Sequence, residues 1–198
     1  MWLRTLDSPG AICLTFDDGP DPRWTPQVLD MLARAGARAT FFVVGKLARA
    51  RPDLVRRMAS EGHAVGNHSW SHRHPWIVSS ATARREVRDG AAAIADVLGR
   101  PATYYRPPHG RLRRCALDEA RDTGQTVALW SVSAVDWGPL AYARGISARL
   151  GRAQAGDIVL MHDGGRGINR PDRLCRVLPA FLDWLRERGL TPALLPAR

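Results

Sequence analysis

The sequence predicts an α/β fold built on a mostly parallel sheet, in a single domain. Three observations carry that expectation. Short apolar runs alternate with amphipathic stretches along the whole chain, as crossover connections between parallel strands require. Five glycines sit just past helical stretches, where a left-handed cap suits a residue without a side chain. Unusual polar clusters follow five of the apolar runs, and in a barrel of parallel strands those ends share one face. The 198 residues suffice for one full hydrophobic core, and no repeat or linker divides them.

In chain order the expected strands are Ala11–Phe16, Ala39–Val44, His63–Gly66, Thr103–Arg106, Thr126–Trp130 and Asp157–Met161, with a short one near Leu194–Leu195. Each is a short apolar run set between helical patterns. The expected helices are Pro26–Ala35, Pro52–Glu61, Ser80–Leu98, Cys115–Thr123, Ala141–Arg152 and Asp172–Arg188. Gly36, Gly62, Gly99, Gly124 and Gly189 punctuate five of their ends, and Pro52 suits a first helical turn.

Composition narrows the function. The content is 45% hydrophobic and 24% charged, ordinary for a globular protein. No apolar run approaches the roughly 20 residues of a membrane span. The net charge is +10, and of 29 basic residues only Lys46 is lysine. The arginines are scattered, and no zinc-finger or RNA-binding motif accompanies them, so nucleic acid is not the expected partner. An anionic group on a substrate is a better use of that field. The three cysteines, Cys13, Cys115 and Cys175, have no metal-binding spacing, and their odd number argues against a full disulfide framework. The first residues show no signal-peptide apolar core. A reducing, cytoplasmic compartment is therefore expected, or a secreted one if the chain given is trimmed.

The chemistry is concentrated in the polar clusters. In Thr15-Phe16-Asp17-Asp18-Gly19-Pro20, two carboxylates stand where a strand meets a Gly-Pro break. Adjacent carboxylates repel, so such a pair calls for a cation or for separate roles. His68 and His72 in Asn67-His68-Ser69-Trp70-Ser71-His72 are four apart, so one helical turn would bring both rings to one metal ion, though the spacing also arises by chance. Asp18 would be the third ligand. A bound metal makes water a nucleophile near neutral pH, and Asp17 would be the general base. His74 is expected to face solvent and His63 to be structural.

In Tyr105-Arg106-Pro107-Pro108-His109-Gly110 the prolines remove two N–H groups, leaving that of His109 as a donor for an oxyanion. Arg106 would hold Asp17 ionised, unless it pairs at the surface. His162 ends an apolar strand in Leu160-Met161-His162-Asp163. Asp136, from Ser133-Ala134-Val135-Asp136-Trp137, would raise the pKa of His162 and make it a general acid. No Gly-x-Ser-x-Gly elbow, paired Cys–His signature or phosphate loop is present.

These motifs, in this order from Ala11 to Leu195, resemble the polysaccharide deacetylases of carbohydrate esterase family 4. Thr15 to Pro20 is similar to the family's first motif, His68 to His72 to its H-(S/T)-x-x-H, Arg106-Pro107-Pro108 to R-P-P-Y-G, Asp136-Trp137 to the end of D-x-x-D-W, and Leu160-Met161-His162 to L-x-H. The resemblance implies a distorted (β/α) barrel and a divalent metal, commonly zinc, held by Asp18, His68 and His72. It implies Asp17 as base, tuned by Arg106, and His162 as acid, held by Asp136. Leu160 and Trp137 would line a pocket for an acetyl methyl. The expected reaction is N-deacetylation of an amino sugar in a peptidoglycan, chitin or related glycan. A small N-acylated cytoplasmic metabolite, an O-acetyl ester, or mere sugar binding through the seven tryptophans are the alternatives. His109 stands where the family has tyrosine, and Ser133 where it has the fourth motif's first aspartate.

Overall fold

Every strand ladder in the structure, a computed structural model that describes residues 2–196, is parallel. The strands are β1 (Trp2–Leu3), β2 (Ala11–Asp17), β3 (Ala39–Val43), β4 (Ala64–Asn67), β5 (Tyr104–Tyr105), β6 (Thr126–Ala128), β7 (Val132–Ser133), β8 (Ile158–His162) and β9 (Thr191–Pro192). Their order is β1-β6-β5-β4-β3-β2-β8-β7, with β9 added beside β2. The helices are α1 (Thr25–Arg34), α2 (Gly45–Ala50), α3 (Pro52–Ser60), α4 (Ser80–Leu98), α5 (Arg114–Asp122), α6 (Ala143–Leu150) and α7 (Pro171–Glu187).

Chain connectivity forces the sheet to curl. The path from β6 to β7 takes six strand-to-strand steps, about 29 Å if the sheet were flat. Yet Ala128 and Val132 are four residues apart, a reach of at most about 14 Å. The segment from Leu129 to Ser131 therefore crosses from one side of the sheet to the other and draws it into the expected distorted barrel. The predicted strand Thr126–Trp130 stops at Ala128 for this reason.

Alternation along β2 gives the barrel an inside and an outside. Ile12, Leu14 and Phe16 join the main core with Leu29, Met58, Leu178 and other helix residues. Cys13 points the other way, into a smaller cluster with Phe42, Tyr104, Ala128 and Ile158. Thr15 and Asp17 share the face of Cys13, so the strand delivers polar groups to the barrel interior at its C-terminal end. The three cysteines are free thiols. Among the described residues no helix is long and apolar enough to cross a membrane.

Several boundaries move from the sequence expectation. The predicted His63–Gly66 strand runs Ala64–Asn67 instead, because the His63 ring accepts the Ala39 N–H at 3.2 Å. His63 is thus structural, as expected. The predicted Thr103–Arg106 strand narrows to β5. The last strand falls at β9 rather than Leu194–Leu195, since Leu190 follows directly from the Gly189 turn and Thr191 then pairs with β2. Helix ends shift by one or two residues. Four elements were not foreseen: the two-residue strands β1 and β7 are too short for a periodic signal, α2 begins after Val44 without a side-chain cap, and a single 3-10 turn forms over Pro108–Gly110. All five predicted capping glycines have positive φ.

Helices α2 and α4 meet at glycines. A Cβ on Gly90 would lie 2.3 Å from Asn67 Oδ1 and 2.7 Å from the Ser69 carbonyl carbon, and one on Gly45 would lie 2.8 Å from the Gly90 Cα. An exposed helical Gly→Ala change usually stabilises by about 0.5–1 kcal/mol. Gly90→Ala is expected to do the opposite, destabilising by about 1–3 kcal/mol through overpacking. Urea denaturation measures the sign, and a raised midpoint would contradict the packing argument.

Candidate active site

Four strand ends deliver the site. Asp17 ends β2 and its Cα pairs in register with that of His162, which ends β8. His68 follows β4, and Arg106 follows β5. The predicted residues Asp17, Asp18, His68, His72, His109, Trp137, Leu160 and His162 all line one cavity of about 600 Å³. Arg106 and Asp136 are fully buried behind it.

Arg106 is not a surface arginine. Its Nη1 donates to Asp17 Oδ1 and to Thr15 Oγ1, both at 2.8 Å. Its Nε donates to the Ala128 carbonyl at 3.1 Å and Nη2 to the Leu129 carbonyl at 2.8 Å. The guanidinium lies 4.0 Å from the centre of the Phe42 ring. Burial lowers its pKa, against the pull of Asp17.

The adjacent carboxylates separate because the strand ends between them. Asp18 adopts φ 72° and swings to the side of the histidines. Its Oδ1 lies 2.9 Å from His72 Nε2 and 3.4 Å from His68 Nε2. The ligand atoms of Asp18, His68 and His72 all lie within 4.8 Å of one another. Burial disfavours the Asp18 carboxylate, but both histidines outweigh it and hold its pKa well below the usual range. Burial likewise opposes the His68 cation, and Asp17 and Asp18 overcome it, raising its pKa. The His68 Nδ1 lies 2.8 Å from the Arg106 carbonyl. A carbonyl only accepts, so Nδ1 carries a proton, and in the neutral ring the lone pair is then on Nε2, the tautomer a metal ligand needs.

Buried Asp18 Oδ1 has no hydrogen-bond partner. A buried carboxylate oxygen with no hydrogen bond of its own, facing two imidazole nitrogens, fits a divalent cation, and one carboxylate with two histidines is a donor set that suits zinc.

The two histidines do not share a helical turn, contrary to the spacing argument. They lie in a loop in which Ser69 and His72 have φ 67° and 59°. Side chains brace that loop. Asn67 donates to the Val87 carbonyl and to Gln125 Oε1, both at 2.9 Å, and accepts the Ser69 N–H. Glu86 accepts the Ser71 N–H and hydroxyl, and Ser69 Oγ accepts the His72 N–H. His74 also departs from expectation: it is half-buried and stacks on His109 with ring centres 5.1 Å apart. His109 in turn meets His72 at 4.7 Å. Burial, with His72 and His74, pushes the His109 pKa down to about 4, so this ring is neutral near pH 7.

On the opposite wall, Asp136 grips His162 twice. Its Oδ2 accepts the His162 N–H at 2.7 Å and its Oδ1 lies 2.8 Å from Nδ1. Burial disfavours the imidazolium, but Asp136 overrides it and raises the pKa to about 9. Ser133, at the divergent position, accepts the Val135 N–H at 3.2 Å.

Two polar residues at the site had no role in the sequence reading. Asp163 is fully buried beneath Gly19, accepts a hydrogen bond from Thr25 Oγ1, and has its pKa pushed up to about 7 by burial. Asn169 donates to Asp18 Oδ2 at 2.7 Å. The apolar run into His162 gave a hint of Asp163; no motif points to Asn169.

The sequence pattern of the family described as "Polysaccharide deacetylase" matches residues 6–128. The chain belongs to the polysaccharide deacetylase family. Among its relatives is a peptidoglycan-N-acetylglucosamine deacetylase of Bacillus cereus, 35% identical over 180 residues that cover 90% of this chain and 83% of the relative. A chitooligosaccharide deacetylase of Rhizobium leguminosarum bv. trifolii is 38% identical over 93% of this chain and 90% of its own. A family 4 carbohydrate esterase from Streptomyces lividans, solved with acetate, superposes with a TM-score of 0.86 at 31% identity, covering 95% of this chain and 94% of the other. Membership of this deacetylase family makes the chain an amide-hydrolysing enzyme of polysaccharides.

The raised pKa of His162 gives this deacetylase a measurable signature. A folded-state pKa of about 9 against about 6.5 unfolded means that the ion pair's stabilisation is whole below pH about 6.5 and is lost as pH rises through about 9. NMR titration of the His162 ring is expected to show a midpoint near 9. In Asp136→Asn the midpoint falls to about 6.5 or below. A wild-type midpoint near 6.5 would remove the ion pair from the account.

Proposed function

We propose that this enzyme is a metal-dependent N-deacetylase acting on an N-acetylated amino sugar of a peptidoglycan- or chitooligosaccharide-type glycan. The observation that carries this reading is the division of labour at the strand ends. One carboxylate is committed to a guanidinium, its neighbour to two metal-ready imidazoles, and a cationic imidazole faces both across one cavity.

Asp18, His68 and His72 would hold a divalent cation, most simply zinc. When bound, it supplies Lewis-acid polarisation and lowers the pKa of water. Asp17 keeps Oδ1 on Arg106, and its Oδ2 lies 3.6 Å from His68 Nε2. Oδ2 takes the proton of the water that attacks the acetamide carbonyl. The backbone N–H of His109 donates to the carbonyl oxygen as it gains charge. His162, its Nδ1 proton pinned by Asp136, donates from Nε2 to the leaving amine. Leu160 and Trp137 line the cavity and would receive the acetyl methyl.

The cavity also carries basic side chains. Arg111 and Arg166 line it, with Arg111 resting 5.1 Å from the centre of the Trp76 ring. A glycan with a carboxylate or phosphate near the acetylated sugar suits them better than a neutral one.

Acetate release from N-acetylated chitooligosaccharides and peptidoglycan, with and without chelator, tests the reaction. Asp17→Asn is expected to lower kcat by about 100- to 10,000-fold while metal content is retained. Full activity in that variant, or after complete metal removal, contradicts the mechanism. Arg166→Ala is expected to raise KM for peptidoglycan fragments and leave that for neutral chitooligosaccharides unchanged. An equal effect on both would remove the anionic preference.

A further inference from the structure

Asn169 lies in the loop between β8 and α7, 151 residues from Asp18, and its carboxamide has two N–H donors. Both are committed: one to Asp18 Oδ2 at 2.7 Å and one to the Gly164 carbonyl at 3.1 Å. Both partners only accept, so the nitrogen, not the amide oxygen, must face them. The backbone of the segment is pinned as well. Gly138 N–H bonds the Ile168 carbonyl at 3.0 Å, Arg170 N–H bonds the Asp136 carbonyl at 2.8 Å, and Asn169 N–H bonds the Arg166 carbonyl at 3.1 Å. Trp137 and Asn169 form an antiparallel bridge. The side chain is therefore held on a braced backbone.

The consequence falls on Asp18. With Oδ2 taken, the oxygen left over is Oδ1, which is buried, lacks a hydrogen-bond partner and sits 2.9 Å from His72 Nε2. We propose that Asn169 is a positioning residue that makes Asp18 a one-oxygen ligand and so sets both the affinity and the coordination number of the metal site. This rests on the metal-dependent reading above. The bridge to Trp137 and the bond to the Asp136 carbonyl also tie the loop behind His162 to the metal side, so one short segment keeps the two halves of the site in register. Outer-shell hydrogen bonds of this kind orient a ligand and hold its charge in place.

The test is metal binding, measured on the whole protein with Zn²⁺ and Co²⁺ against a chromophoric chelator. Asn169→Ala removes both donors; Asn169→Leu removes them while keeping nearly the same volume. In both, affinity is expected to fall by about 10- to 100-fold. The visible Co²⁺ bands are expected to weaken, because a freed Oδ2 joins the coordination sphere and raises the ligand number. The melting temperature of the metal-free protein is expected to hold. Wild-type affinity and spectrum in both variants overturn the assignment to Asn169 alone. Lost affinity with unchanged Co²⁺ bands and a lowered metal-free melting temperature overturns it in favour of a structural role. A folded wild-type protein that binds neither ion overturns this inference together with the metal-dependent reading.

Discussion

The buried guanidinium of Arg106 is the interaction on which the rest of the site depends. Its charge is balanced by Asp17, and its remaining bonds go to Thr15 on β2 and to the carbonyls of Ala128 and Leu129. Its own carbonyl fixes the tautomer of His68. One residue thus orients the proposed base, selects the lone pair of a proposed metal ligand and joins β2, β5 and β6 inside the barrel. A buried pair of this kind is a poor source of stability, because desolvation offsets much of the Coulombic gain. Its value here is positional. Removing the arginine would leave a buried carboxylate next to a second carboxylate, the arrangement that electrostatics penalises most.

Backbone strain is concentrated at the same place. Among the described residues, five non-glycine residues have φ in the left-handed region: Asp18, Ser69, His72, His109 and Val135. All belong to the loops that make the site. Each such residue costs about 1–3 kcal/mol, and the β-branched Val135 is the least suited to it. The surrounding bonds hold them there: Asn67 and Glu86 under the histidine loop, Ser133 under Val135, and the register of β2 with β8 under Asp18. The site is therefore shaped by its supports more than by the preferences of its own residues.

Much of this was legible in the sequence, for reasons that differ by residue. Asp17, Asp18, Arg106 and His162 stand at the ends of apolar runs, and a strand end is readable from hydrophobicity and a Gly-Pro or Pro-Pro break. The capping glycines are readable because φ > 0 excludes most other residues. Non-helical loop geometry is not readable, and so the spacing of His68 and His72 implied the right neighbours through the wrong conformation. Asn169 is invisible for a different reason: its role comes from one hydrogen bond across the barrel, and nothing near it in the chain signals that contact. His74 escaped similarly, its ring partner His109 lying 35 positions away in the chain.

The short crossing from Leu129 to Ser131 does more than bend the sheet. The Leu129 carbonyl is one of the two that Arg106 holds, and the Trp130 ring lies 5.6 Å from the same guanidinium. The seam that closes the barrel is therefore also the roof over its buried cation. Parting the seam would admit water to Arg106 and loosen Asp17 at once. Barrel closure and the Arg106–Asp17 ion pair are then a single cooperative unit, which in hydrogen exchange would open together instead of fraying strand by strand.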